Sequence, residues 1–74
     1  MNDLVFNYIE CRELGSGAYI CKIDLKNSNV GIPVPGDIIF VHSEYHGETR
    51  TFEIVNRGFE IGKRRVLMTL KEIK

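Results

Sequence analysis

The chain has no excess charge of either sign: ten Lys and Arg balance ten Asp and Glu over 74 residues. No global field therefore draws it toward nucleic acid or anionic lipid. No apolar run approaches the ~20 residues a membrane span needs, so no membrane partner is expected. The start, Met1-Asn2-Asp3-Leu4, lacks a basic region and a long apolar stretch, and does not read as a signal peptide. Cysteine is scarce. Cys11 and Cys21 are too few and too far apart for a structural zinc site without histidines at fixed spacing. No segment shows apolar spacing of three and four over a helical length, so a long helix is not expected, although one turn around Leu70 to Lys74 stays compatible with the pattern. Gly15-Ser16-Gly17 lacks the downstream glycine, the lysine and the helix of a phosphate-cradling loop. Length sets the last bound: residues 1–74 make one domain with a thin core, too small for a deep catalytic cleft.

What is present is β-forming sequence cut by turns. Residues 4–14 place Val5, Asn7, Ile9 and Cys11 on one face and Leu4, Phe6 and Tyr8 on the other, as in a strand curling across a barrel. Gly15-Ser16-Gly17 reverses the chain, and Ala18 to Leu25 puts Tyr19, Cys21, Ile23 and Leu25 on one face against Lys22 and Asp24. If Leu14 faces Ala18 across that turn, then Ile9 faces Ile23 and Cys11 faces Cys21. A strained disulfide would be within reach there. Two reduced core thiols are the simpler reading in a reducing, cytoplasmic setting.

Lys26 to Asn29 is polar turn material, and Val30-Gly31-Ile32 leads to a stiff corner, Pro33-Val34-Pro35-Gly36-Asp37. Asp37 reads as a cap on nearby backbone amides. Ile38-Ile39-Phe40-Val41 is apolar on both faces and is expected to be the most buried strand. His42 to Glu48 is a polar tip with Gly47 as its positive-φ residue. Residues 49–57 resume a strand with Phe52 and Ile54 inward, and Thr51, Glu53, Val55 and Arg57 outward. A turn over Gly58 to Arg64 leads into a last strand, Arg65 to Ile73, with Val66, Met68 and Leu70 on one face. Pairing Ile38 with Ile54, Phe40 with Phe52, Ile54 with Met68 and Phe52 with Leu70 makes a meander. Five strands on short turns predict an all-β fold, a five-stranded antiparallel SH3-like barrel, with an OB-like barrel or an open five-stranded meander as alternatives.

Residues 33–72 carry Pro33, Pro35-Gly36-Asp37, Ile38 to Val41, Gly47, Phe52-Glu53-Ile54-Val55, Arg57-Gly58-Phe59, and Val66 with Met68 and Leu70. This pattern resembles small uncharacterised SH3-like barrel proteins of bacterial and phage genomes. The resemblance implies a fold and a bacterial setting, and no activity.

Chemistry is thin. His42 and His46 with Glu44 or Glu48 could be read as metal ligands, but a spacing of four aligns nothing in a strand and loop, and a solvated turn accounts for them. Ser43 near them lacks an orienting acid and an oxyanion site. No carboxylate pair has a pocket to raise one partner's pKa. No enzyme activity, metal or cofactor is expected.

Two binding surfaces remain. Residues 57–74 hold Arg57, Lys63, Arg64, Arg65, Lys71 and Lys74 against Glu60 and Glu72, a local net of +4 against −4 in the rest. Arg50, Arg57, Lys63, Arg64 and Arg65, with Phe59 and Tyr45 as stacking platforms, could hold single-stranded nucleic acid or RNA. The ordinary reading of those cations is a solvated hairpin. Alternatively Phe59, Ile61, Val55 and Leu67 could form an apolar patch for a protein partner or a homodimer, unless they belong to a second layer of a closed barrel. A non-catalytic protein-interaction or self-association module is the favoured expectation, with nucleic acid second.

Overall fold

The computed structural model describes residues 5–26 and 31–73. The start of the first expected strand at Leu4, the Lys26–Asn29 turn beyond Lys26, Val30, and the Lys74 end of the turn around Leu70 to Lys74 lie outside the described residues. All five expected strands form: β1 (Tyr8–Glu13), β2 (Tyr19–Asp24), β3 (Ile38–Ser43), β4 (Glu48–Glu60) and β5 (Arg65–Ile73). No helix forms among the described residues; the stretch from Leu70 continues as strand to Ile73. The strands make one sheet, ordered β2-β1-β5-β4-β3 and curled into a half-barrel. Its two ends, β2 and β3, are not joined by a ladder.

The expected all-antiparallel arrangement needs one correction. β1 and β5 run parallel, with Tyr8 beside Arg65 and Cys11 beside Met68. A local turn cannot make such a pair. The strands meet only because the whole C-terminal meander folds back onto the N-terminal hairpin. One face of the sheet then buries Ile9, Cys11, Phe52, Ile54, Val66, Met68 and Leu70, the core of the molecule.

The N-terminal hairpin pairs Ile9 with Ile23 and Cys11 with Cys21, as the alternation predicts. The turn differs. Arg12 faces Tyr19, leaving Ile20 as an extra residue, and Glu13, not Leu14, bonds to Ala18 at 2.8 Å. This bulge turns Ile20 toward the core and leaves Tyr19 exposed, the reverse of the expected placement.

The proline corner is a type II turn over Val34 to Asp37, closed by the Asp37 amide donating to the Val34 carbonyl at 3.0 Å. Asp37 caps it as expected, accepting from the Val34 amide at 2.9 Å. Gly36 has φ of +97°, and together with Asp37 it faces Ile54: Gly36 donates to the Ile54 carbonyl, and Ile54 donates to the Asp37 carbonyl. That is a bulge of the kind that requires a left-handed glycine.

The corner shifts the register of β3 by one residue from the expected pairing. Ile39 faces Phe52, while Ile38 faces Glu53 and Phe40 faces Thr51. A shift of one reverses every side chain. Ile39 and Val41 pack on the core, whereas Ile38 and Phe40 point outward. β3 is thus an exposed edge and not the most buried strand.

A third bulge lies in β4. Ile54 pairs with Leu70 and Asn56 with Thr69, so Val55 is left over. Beyond it the parity of β4 inverts: Arg57 faces Met68 and Phe59 faces Val66, both on the core side. The expected Ile54–Met68 and Phe52–Leu70 pairs are displaced by two residues, with Phe52 facing Glu72. β4 itself runs on to Glu60, so the last turn is confined to residues 61–64.

These registers predict unequal costs for one substitution type at facing ends of the β3–β4 hairpin. Ile54→Ala is expected to destabilise by about 2–5 kcal/mol through the cavity it leaves. Ile38→Ala, on the outer face, should stay within about 0.5 kcal/mol. Urea unfolding followed by circular dichroism measures both, and equal losses would contradict the outward placement of Ile38.

Candidate functional site

β4 spans 13 residues, about 43 Å at 3.3 Å per residue, close to the 44 Å long dimension of the molecule. Its two turns therefore lie at opposite ends, and this separates the side chains that the sequence groups together. Tyr45, 93% exposed, sits in the β3–β4 turn with its ring edge-on to His46. Arg50 lies at the same end, where Glu72 accepts two hydrogen bonds from it at 3.0 and 2.9 Å and its guanidinium covers the Phe52 ring. The pair holds the Arg50 guanidinium above its ordinary pKa. Neither residue approaches the Phe59 turn.

At the far end the basic cluster is largely engaged. Arg65 donates to Glu60 at 2.6 Å and to Glu10 at 3.3 Å, and Glu10 also accepts from Arg12 at 2.8 Å. The Arg12 hydrogen bond foremost holds the Glu10 carboxyl below its ordinary range; desolvation opposes it, and the positive charges of Arg12, Arg65 and Lys63 add to it. Arg57, turned inward by the Val55 bulge, donates to the Pro33 carbonyl at 3.1 Å and lies over the Phe59 ring at 5.3 Å. Phe59 also meets Phe6, with ring centroids 5.1 Å apart. Its faces are thus partly occupied by its own chain. Lys63 and Arg64 are the cations of this turn that no ion pair holds among the described residues.

The proposed apolar patch is divided too. Ile61 and Phe59 belong to the turn end, Val55 to the bulge, and Leu67 is half-buried between Glu10 and Gly58. A depression of about 480 Å³ opens beside Leu67, lined by Glu10, Arg12, Arg65 and Thr69. Its charges close on one another in the Glu60–Arg65–Glu10–Arg12 chain, so it presents a balanced ionic surface.

The loop histidines are drawn into local contacts. The His42 Nδ1 and Thr49 Oγ1 atoms lie 3.1 Å apart, and the His46 amide donates to Ser43 Oγ at 3.3 Å. Among the described residues no three His, Cys, Asp or Glu side chains converge to hold a metal ion. Among the described residues no helix is long and apolar enough to cross a membrane.

One exposed apolar surface is hidden in the sequence. On the outer face Phe40 is 70% exposed and Ile38 44%, with Ile73 and Val55 also open. The registers place Phe40, Thr51 and Ile73 in one row across three strands, and Ile38, Glu53 and Lys71 in the next. An unbroken apolar run reads as a buried strand, so the only signal in the sequence was that β3 carries no charge. The backbone adds to the surface. The Asp37 carbonyl accepts from Ile54 in β4 at 2.9 Å, and peptide groups alternate along a strand. The N–H and C=O groups of Ile38, Phe40 and His42 therefore face away from β4, along the free edge. Such an edge can accept another strand.

Cys11 and Cys21 form the other chemically distinct group. Both are free thiols, Cys11 buried and Cys21 half-buried, facing each other across the hairpin. A hydrogen bond between the two sulfurs lets them share one proton. It lowers Cys21 to about 7, while the same bond, then burial and the negative charge of Cys21, pushes Cys11 well above the thiol range.

Comparison with protein families, with curated proteins and with solved structures finds no match to this chain.

The thiol pair predicts a distinctive pH dependence. Iodoacetamide should modify Cys21 with a midpoint near pH 7, against about 8.5 for an ordinary thiol, with Cys11→Ser restoring the ordinary midpoint. Stability follows with a worked sign. Below about pH 7 both states keep both protons, and the pair contributes nothing. From there to about 8.5 the folded protein releases a proton that the unfolded chain retains, so stability rises. Above that range the unfolded chain loses both protons and the folded one keeps that of Cys11, so stability falls. Urea midpoints measured against pH check this, and a monotonic profile would refute the shared proton.

Proposed function

We propose that this chain acts without catalysis as a small protein-interaction module, presenting the free edge of β3 to an extended segment of a protein partner. One observation carries the reading: Phe40 stands 70% exposed on an edge strand with no charged side chain. Natural sheets usually guard an open edge with charge, proline or a bulge. Leaving it apolar suits strand addition, where main-chain hydrogen bonds give affinity and alternate side chains give specificity. In this reading the half-barrel is SH3-like in its strand number and its β3–β4–β5 meander, with the parallel β1–β5 ladder as its own variation. A cytoplasmic setting goes with it, because free Cys11 and Cys21 suit a reducing compartment. Single-stranded nucleic acid draws less support, since Arg50, Arg57 and Arg65 already have partners within the chain.

Selection of displayed random decapeptides on the protein tests the proposal. Enriched peptides should carry apolar residues at every second position, and Phe40→Lys should weaken their binding by about tenfold or more. Peptides that bind the Phe40→Lys protein equally well would place the interface elsewhere and reject it.

A further inference from the structure

The two open edges of the sheet are unequal. β2 carries Lys22 and Asp24 and is bent by the bulge at Ile20, and the Lys22 ammonium lies 4.4 Å from the Tyr8 ring centroid. These are the devices that block edge-to-edge pairing. β3 has none of them along Ile38–Ser43. It also leaves part of the core layer uncovered, because Ile39 and Val41 pack against the core on one side and are only half-buried at the sheet's end. A strand laid beside β3 would therefore have both a backbone ladder to complete and an apolar row to extend.

The β3 sequence meets both needs when paired with itself. Consider an antiparallel copy related by a two-fold axis at Phe40. Phe40 then faces the partner's Phe40, Ile38 faces the partner's His42, and Ile39 faces the partner's Val41. The outward peptide groups of this chain are those of Ile38, Phe40 and His42, and in this register each meets an outward-facing counterpart. Each facing pair exchanges both of its N–H···O bonds. A two-fold axis at Ile39 or at Val41 instead leaves one of the three without a strand residue opposite. Side chains agree with the backbone. The exposed aromatic rings come together on the outer face, while Ile39 and the partner's Val41 continue the core row. No charged residue of β3 is brought against a like charge, since the strand has none.

Resting on the interaction-module reading above, we propose that the partner of the β3 edge is a second copy of this chain. The two copies would join β3 to β3 about a two-fold axis at Phe40, forming one continuous ten-stranded sheet from two five-stranded ones. Phe40 is the anchor of the interface, and its exposure in the single chain is the exposure of an unpaired contact.

Sedimentation equilibrium over a dilution series should show a monomer–dimer isotherm, with a heavy species of twice the 8.5 kDa chain mass. Phe40→Lys should weaken it by about thirtyfold or more, the loss expected of an interface anchor, with circular dichroism unchanged. Tyr19→Lys, on the other edge, should leave the isotherm unchanged; a response there would place the contact on β2 and overturn the proposal. Hydrogen exchange followed by NMR reads the register. The amides of Ile38, Phe40 and His42 should be protected at high concentration and exchange freely on dilution, with Ile39 and Val41 protected throughout. A dimer in which Ile38, Phe40 and His42 stay unprotected overturns the proposed geometry. A protein that sediments as a monomer throughout, while selected peptides still protect those amides, overturns self-pairing and leaves the interaction-module reading standing. A monomer whose β3 amides no peptide protects overturns both.

Discussion

The parallel ladder between β1 and β5 is the contact on which the rest of this small protein depends. Each half of the chain alone is a hairpin or a three-stranded meander with one apolar face, and such units are marginal in water. Joined along Tyr8–Glu13 and Arg65–Ile73, they bring Ile9 and Cys11 beside Val66 and Met68 and make one continuous core. The ladder also places β5 at the centre of the sheet and thereby assigns β2 and β3 to its ends. The exposed edge, and with it the candidate interaction surface, is a consequence of this single pairing.

Three bulges then decide which side chains the surface receives. A strand has a period of two, so one extra residue reverses everything beyond it. At Ile20 the extra residue exchanges core and solvent between Ile20 and Tyr19. At Gly36 and Asp37 it turns Phe40 outward and Ile39 inward. At Val55 it points Arg57 and Phe59 toward the core side, where Pro33 and Phe6 receive them. The same local device thus dismantles a basic aromatic cluster at one end of β4 and creates an apolar edge on the neighbouring strand. Part of the charge is satisfied internally: the Glu60–Arg65–Glu10–Arg12 chain and the Arg50–Glu72 fork engage three cations, Arg12, Arg50 and Arg65, while Lys63 and Arg64 at the turn belong to neither.

Much of the fold was legible in the chain. Alternation and turn residues located all five strands, the Gly47 and Gly36 turns, the Asp37 cap and the Ile9–Ile23 and Cys11–Cys21 registers. These features depend on residues close in sequence, whose φ preferences and side-chain period act locally. The candidate surface was not legible for the opposite reason. Ile38 to Val41 is apolar at every position, and a run without alternation carries no information about which face is buried.

Local sequence determined that five strands form in this order, that the first two pair with Ile9 facing Ile23, and that the protein is all-β. Only the tertiary structure decided the parallel β1–β5 pairing, because it joins residues more than fifty positions apart and no local pattern encodes such a partner. It likewise decided that Phe40 faces solvent while Phe52 is buried, since both are aromatic residues in strands. The difference lies in one bulge at Gly36 and in the place of β3 at the end of the sheet, with no strand beyond it among the described residues.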